Sequence, residues 1–210
     1  GFKGAWLTAW LHKLGADIIG ASIDTVSEPS HFSSTNLDKC IRDIRLDITN
    51  SEELKSIVIE EKPDFIFHLA AQSLVRESYI NPVNTWNTNL IGTLNVLESL
   101  RGLDHKCVAV IITSDKCYDN VEWVWGYKET DPMGGPDPYS ASKGAAELLI
   151  KSYVKSFFSN NGKVRIASAR AGNVIGGGDW AKDRIVPDCV KAWSKDQVVQ
   201  LRNPNATRPW

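Results

Sequence analysis

Apolar and polar positions change their period several times along the chain. In GAWLTAWLHKLG, Trp6, Leu7, Trp10, Leu11 and Leu14 recur at helical spacing and predict a helix with one apolar face. ADIIGASI reads as a short strand ending at Asp24, TVSEPSHFSSTN as a polar loop, and IRDIRLDI as a weaker strand. SEELKSIVIEEK predicts a helix capped by Ser51, with Glu52 and Glu53 in the first turn, where the helix dipole favours acids. DFIFHLAA reads as a buried strand, PVNTWNTNLIGTLNVLESLRG as a long helix closed by Gly102, and KCVAVIITS as a second buried strand. DPYSASKGAAELLIKSYVKSFF predicts a helix with Asp137 as cap and Pro138 at its first position. KVRIASARA is a strand, RIVPDCVKAWSKD a helix interrupted by its proline, and QVVQL a last short strand.

Strands alternating with helices imply a parallel sheet covered on both faces, so the expected fold is a doubly wound, Rossmann-like α/β domain. Such sheets bind ligands beyond the carboxyl ends of their strands. The polar clusters Asp24, Asp47, HLAAQS, TSDK and ARAGN all fall at such ends. The opening at GFKG, with no Met and no strand before it, and the close at RPW read as an internal stretch of a longer protein. The expectation is a domain truncated at both ends, poorly stable and inactive by itself. Residues 1–170 would be its nucleotide-binding part, and 171–210 the start of a smaller substrate-binding region.

Composition narrows the function. The 210 residues are 42% hydrophobic and 23% charged, with a net charge of −1, which gives no field favouring nucleic acid or a membrane surface. No apolar run reaches the roughly 20 residues of a membrane helix. Cys40, Cys107, Cys117 and Cys189 form no C-x-x-C pair and no finger spacing with His, so no metal is expected. Reduced thiols fit a cytoplasmic protein.

Three groups of residues carry candidate chemistry. GFKG (Gly1, Phe2, Lys3, Gly4) opens a helix, where backbone N–H groups bind phosphate and glycine lets a pyrophosphate approach. Asp24, twenty residues past Gly4, can accept from a ribose diol and repels a 2′-phosphate, which favours NAD over NADP. In YSASK, Tyr139 and Lys143 are four apart and share a helix face. A nearby ammonium stabilises phenolate, and a phenolate can take a proton from a sugar hydroxyl while hydride leaves the same carbon. Ser114, at a strand end, is placed to share that hydrogen bond. His68, inside an apolar strand, reads as a core histidine. Trp123 and Trp125 either shape a sugar pocket or pack a loop.

These motifs, together with LDITN, HLAAQSLVRESY, TNLIGTLNVLE, TSDKCYDN, ARAGNVIGGGDWAKDRIVPD and RNPNATRPW, run the length of the chain. Their order resembles the extended short-chain dehydrogenase/reductase family and, within it, the CDP-glucose 4,6-dehydratases. The resemblance implies oxidation of a CDP-glucose at C4 by NAD, loss of water across C5–C6, and return of hydride to C6, in deoxysugar synthesis for surface polysaccharide. Ser114, Tyr139 and Lys143 would be the redox triad, Asp115 the acid, and Lys116 the base. Lysine titrates near 10.4 in water and acts as a base near neutral pH only when burial or a cation depresses it. The alternative is that Lys116 only stabilises enolate charge. The resemblance further implies cofactor contacts from Asp47, Ile48, Leu69, Ala70, Ala71 and Asn89, the last supporting the local backbone. Gln72 and Ser73 would face the sugar, and Asn173, Arg184 and Arg208 the diphosphate. A homodimer through the helices at 82–101 and 138–158 is also implied. An epimerase needs the same triad without the Asp115–Lys116 pair, and a non-catalytic dinucleotide sensor would need neither.

Overall fold

The computed structural model describes residues 1–25, 27–159 and 162–207. It divides into two compact units, Gly1–Arg45 with Asn173–Trp210, and Leu46–Gly172.

The first unit contains α1 (Phe2–Lys13), β1 (Ile19–Ser22), α2 (His31–Ser34) and β2 (Arg42–Arg45), and, from the later segment, α8 (Ile185–Trp193). β1 and β2 pair in parallel with Ile19 opposite Arg42. The apolar stripe expected on α1 is not a buried face: only Ala5 is buried, and Trp10 is 64% exposed. Trp6 instead packs its ring on His31, with centroids 4.3 Å apart, and donates its indole N–H to Gly177 O at 2.9 Å. Within the expected polar loop, Ser30 and Ser33 form a reciprocal capping box that starts α2, a local bond pattern with no hydrophobic period to announce it. Pro187 does not interrupt α8. It sits in the first turn, where a helix asks for no N–H. The strand expected at QVVQL does not form: among the described residues these five pair with no strand, and Val198 is 90% exposed.

The second unit is a three-stranded parallel sheet in the order β3 (Phe65–His68), β4 (Cys107–Ile112), β5 (Val164–Ala169). Phe65 lies opposite Val108, and Cys107 opposite Val164. Its helices are α3 (Ser51–Glu61), α4 (Val75–Ile80), α5 (Pro82–Trp86), α6 (Gly92–Arg101) and α7 (Pro138–Tyr153). The helix-bearing crossovers β3→β4 and β4→β5 leave all three carboxyl ends on one edge. Leu97, Ile111 and Ile150 form the core where α6, β4 and α7 meet. Burying three such side chains contributes on the order of 5–8 kcal/mol.

Three local expectations are corrected here. The cap of α3 is Asn50, not Ser51: its Oδ1 accepts from Glu53 N at 3.3 Å, and its Nδ2 donates to the Glu53 carboxylate at 2.8 Å. The long helix at 82–101 is interrupted by a π-helical turn at Asn87–Ile91. Gly102 closes it without a left-handed conformation. β3 is also less buried than its composition suggests, with Phe65 and Phe67 exposed.

Candidate active site

β4 delivers Thr113 and Ser114 past the edge of the sheet. The ladder to β5 continues through Thr113 N to Ala169 O (2.9 Å) and Asp115 N to Ala171 O (3.0 Å), so backbone bonds hold the turn after β4. Ser114 is extended and caps the 3-10 turn Asp115–Cys117. Its Oγ accepts from Lys116 N at 3.2 Å and donates to Asp115 Oδ1 at 3.0 Å. A hydroxyl has one proton and two lone pairs, so one lone pair of Ser114 stays available to an incoming hydroxyl. Ser114 is buried, and Asp115 and Lys116 are half-buried.

α7 packs against this turn. Its start is set by Asp137, whose carboxylate accepts from Ser140 N (2.9 Å) and Ser140 Oγ (2.6 Å). The close approach is made at Gly144: a Cβ there would lie 3.2 Å from Cys117 O and 3.3 Å from Gly134 O. Tyr139 and Lys143, on the face expected, are both buried. The Cys117 thiol is fully buried, and burial pushes it up to about 11, with Arg170 opposing and Glu147 and Asp115 reinforcing. It is therefore a poor nucleophile.

Behind the site runs a line of buried polar contacts. The π turn brings Asn89 inward, where it is 1% exposed. Its Oδ1 accepts from Gln72 N (2.9 Å), and its Nδ2 donates to Gln72 O (3.0 Å) and Ser142 Oγ (2.9 Å). Ser142 Oγ donates in turn to Tyr139 O at 2.7 Å. Asn89 thus ties the segment after β3 to α7, and its amide is engaged by protein rather than offered to a ligand. Thr93 gives its proton to Asn89 O (2.7 Å), so at the 3.2 Å contact with His68 it must accept from His68 Nε2–H. Burial first, and the Lys143 charge second, lower His68 to about 3, which leaves it a neutral core residue as expected.

The other expected contact residues are placed as follows. Gln72 does not present its side chain outward: Nε2 donates to Leu74 O (3.1 Å) and Thr85 Oγ1 (2.9 Å), and Oε1 accepts from Leu74 N (2.6 Å). It shapes its own loop, and Ser73 beside it is exposed. Ile48 is a core side chain, close enough to α6 that a Cβ on Gly92 would lie 2.4 Å from its Cδ1. Asp47 is exposed and closes a local turn by accepting from Thr49 N (2.9 Å) and Thr49 Oγ1 (2.8 Å). Leu69, Ala70 and Ala71 follow β3 half-buried. In the first unit, α1 has no carboxylate in its first turn and no side-chain cap, and a Cβ on Gly4 would meet nothing within 4 Å. Asp24 is exposed just past β1, with Oδ1 accepting from Thr25 N at 2.6 Å. Asn173 is exposed, and Arg184 pairs with Asp179 at 3.0 Å. Arg208 lies outside the described residues.

Sequence reasoning missed Glu147 and Arg170, a buried carboxylate and a half-buried guanidinium paired at 2.9 Å beside this site. The signal was a lone acid in the apolar run GAAELL, spaced four residues past Lys143. It also missed Asn95, whose Nδ2 donates to Ile48 O (2.9 Å) and Thr49 O (3.2 Å).

Comparison with known proteins shows the family of the chain. Residues 1–210 match the family described as GDP-mannose 4,6 dehydratase. The chain belongs to this family. It is a branch of the extended short-chain dehydrogenases/reductases. The chain is 48% identical to a CDP-glucose 4,6-dehydratase of Salmonella typhimurium, a match covering 100% of this chain and 60% of that protein. Among solved structures, a UDP-glucose 4-epimerase from Thermotoga maritima superposes with a TM-score of 0.79 at 21% identity, covering 94% of this chain and 61% of the other, and supports the fold. A Thermus thermophilus UDP-glucose 4-epimerase in complex with NAD gives 0.73 at 27% identity, covering 87% and 56%. The chain therefore spans about 60% of the length of these relatives. Among the described residues, no helix is long and apolar enough to cross a membrane, and no cluster of three or more His, Cys, Asp or Glu could hold a metal ion.

Proposed function

We propose that the full-length protein is an NAD-dependent CDP-glucose 4,6-dehydratase, forming CDP-4-dehydro-6-deoxy-D-glucose in the cytoplasm. The observation that carries the reading is the Ser114–Asp115–Lys116 turn packed against the helix of Tyr139 and Lys143. An epimerase has no use for an acid–base pair at that turn. The 48% identity to a protein of that name supports the cytidine preference.

The residues fit a dinucleotide. The uncapped, carboxylate-free start of α1 with open space at Gly4 suits a pyrophosphate, and the exposed Asp24 suits a ribose diol. Leu69, Ala70 and Ala71 would line it. NAD, when bound, would supply a hydride acceptor at the sugar C4 and a donor at C6, with no net redox change. Tyr139 as phenolate would take the proton of the C4 hydroxyl, with Lys143 stabilising the anion, and Ser114 would turn its own proton from Asp115 to the C4 oxygen as charge develops there. Asp115 would protonate the departing C6 oxygen. Lys116 would remove the C5 proton, made acidic by the adjacent ketone. Because Ser114 Oγ donates to Asp115, the alcohol-binding and elimination groups are already joined. Asn173, Arg184 and Arg208 would contact the diphosphate.

Residues 1–170 would form the NAD-binding part and 171–210 the start of the substrate-binding region. We extend the proposal to a homodimer through the helices at 82–101 and 138–158, which carry exposed Val83, Ile91, Leu148 and Phe157. The test is to incubate the full-length protein and NAD with CDP-, UDP-, GDP- and dTDP-glucose in parallel and follow the products by mass. Loss of one water from the CDP sugar, without NADH accumulation, is expected. An unchanged mass with inverted stereochemistry would replace the reading by an epimerase.

A further inference from the structure

Tyr139, Lys143 and Glu147 are spaced by four residues, and all three are buried along α7. Side chains one helical turn apart have Cβ atoms about 5–6 Å from each other. A carboxylate at 147 can therefore reach an ammonium at 143. In the structure it bonds elsewhere. Glu147, 4% exposed, accepts from Thr113 Oγ1, from Ser168 Oγ at 3.1 Å and from Arg170 at 2.9 Å. Arg170 also donates to Tyr118 OH at 2.8 Å and Glu129 O at 3.2 Å, with its guanidinium 4.9 Å from the Tyr118 ring centroid. Burial would lower the proton affinity of Arg170, but its bonds to Glu147 and Tyr118 more than offset this and raise it, so the charge is permanent.

We infer that Arg170 is a positioning residue for the proposed site: by holding the Glu147 carboxylate against Thr113 and Ser168, it keeps that carboxylate from pairing with Lys143 and leaves the ammonium to act on Tyr139. A buried Lys143–Glu147 pair would be nearly neutral and would no longer favour phenolate. The fork of the guanidinium suits the task, because it bonds a carboxylate, a phenol and a carbonyl at once. The elements packed against α7 bring further ionisable groups: Asp115, Lys116 and Cys117 from the turn after β4, Arg76, Glu77 and Tyr79 from α4, and Glu98 and Arg101 from α6. His68 of β3 feels the Lys143 charge, Tyr118 bonds Arg170, and Asp137 caps α7. The inference rests on the roles proposed above for Tyr139 and Lys143.

The test is a near-ultraviolet phenolate titration of the full-length protein with NAD bound. The Tyr139 step is identified as the one missing in Tyr139→Phe. Arg170→Met is expected to move that step up by about one pH unit or more, and adding Glu147→Gln to bring it back toward the unsubstituted position. No movement in Arg170→Met, or a double variant that stays shifted, would overturn the inference and leave Arg170 a purely structural residue. If Arg170→Met does not fold, Arg170→Lys keeps the charge but cannot reach all three acceptors. It should move the step part of the way, reversibly by Glu147→Gln, and an unmoved step would again overturn the inference. CDP-glucose turnover in the same samples separates the two readings. Absence of turnover with an intact titration pattern would sink the dehydratase and not the role of Arg170.

Discussion

Replacing Asn89 by leucine, of nearly the same size, removes three hydrogen bonds at once. Oδ1 loses Gln72 N–H, and Nδ2 loses Gln72 O and Ser142 Oγ. Ser142 loses little, because its own proton goes to Tyr139 O. The amide and carbonyl of Gln72 are left without partners in a half-buried segment, each costing about 1–3 kcal/mol. Water can reach such a segment in part, so the lower half of that range applies and the total is about 3 kcal/mol. That is a large share of the roughly 5–15 kcal/mol that holds a domain together. Urea unfolding of the full-length protein should show the midpoint falling with an unchanged slope. Asn89→Asp sharpens the test. It keeps the acceptor for Gln72 N–H but turns a carboxylate oxygen toward Gln72 O and Ser142, so its cost at neutral pH should equal or exceed that of leucine and shrink on acidification. A loss below about 1 kcal/mol for Asn89→Leu, or an aspartate as stable as asparagine, would refute the clamp.

Tyr139→Phe should abolish dehydration with little change in Tm, because only a hydroxyl is lost; measurable turnover of CDP-glucose would contradict its role as base. Asp115→Asn should still allow exchange of the C5 hydrogen with deuterated solvent while water loss stops, and Lys116→Met should stop the exchange itself; if exchange persists in Lys116→Met, the ammonium is an electrostatic stabiliser and another group is the base. His68 is held near 3 when folded and titrates near 6.5 when unfolded, so it favours unfolding below that pH. Stability should be complete above about 6.5 and fall by up to about 1.4 kcal/mol per pH unit between there and about 3. In His68→Gln that acid slope should flatten, and an unchanged slope would assign it to other groups. Leu97→Ala, in the core between α6, β4 and α7, should cost about 2–5 kcal/mol by chemical denaturation, and a cost under about 1 kcal/mol would mean that this cluster is not the core.

Much of this was legible in the sequence where one local rule dominates. Asp137 and Pro138 announce the start of α7, and the apolar run CVAVII announces β4, because cap chemistry and hydrophobic runs act over a few residues. The face shared by Tyr139 and Lys143 follows from the helical repeat alone. What escaped depends on partners far along the chain. The Gln72 amide is bonded to Thr85, thirteen residues on, a contact no local rule announces. Ile48 packs against Gly92, which likewise lies far along the chain. Glu147 was invisible because its partners Thr113, Ser168 and Arg170 come from two other strand ends. The π turn at Asn87–Ile91 has no propensity signature, and it is what turns Asn89 inward. QVVQL carries a strand composition but pairs with no strand among the described residues, and β propensity without a partner makes no strand.

The central claim is a dehydration in which the hydrogen removed at C4 returns at C6 of the same sugar. CDP-glucose deuterated at C4, incubated with the full-length protein and NAD and examined by mass spectrometry and NMR, tests it most directly. The account predicts a 4-keto-6-deoxy product that has lost one water and carries the deuterium on C6. A product of unchanged mass with deuterium still on an inverted C4 would contradict the claim.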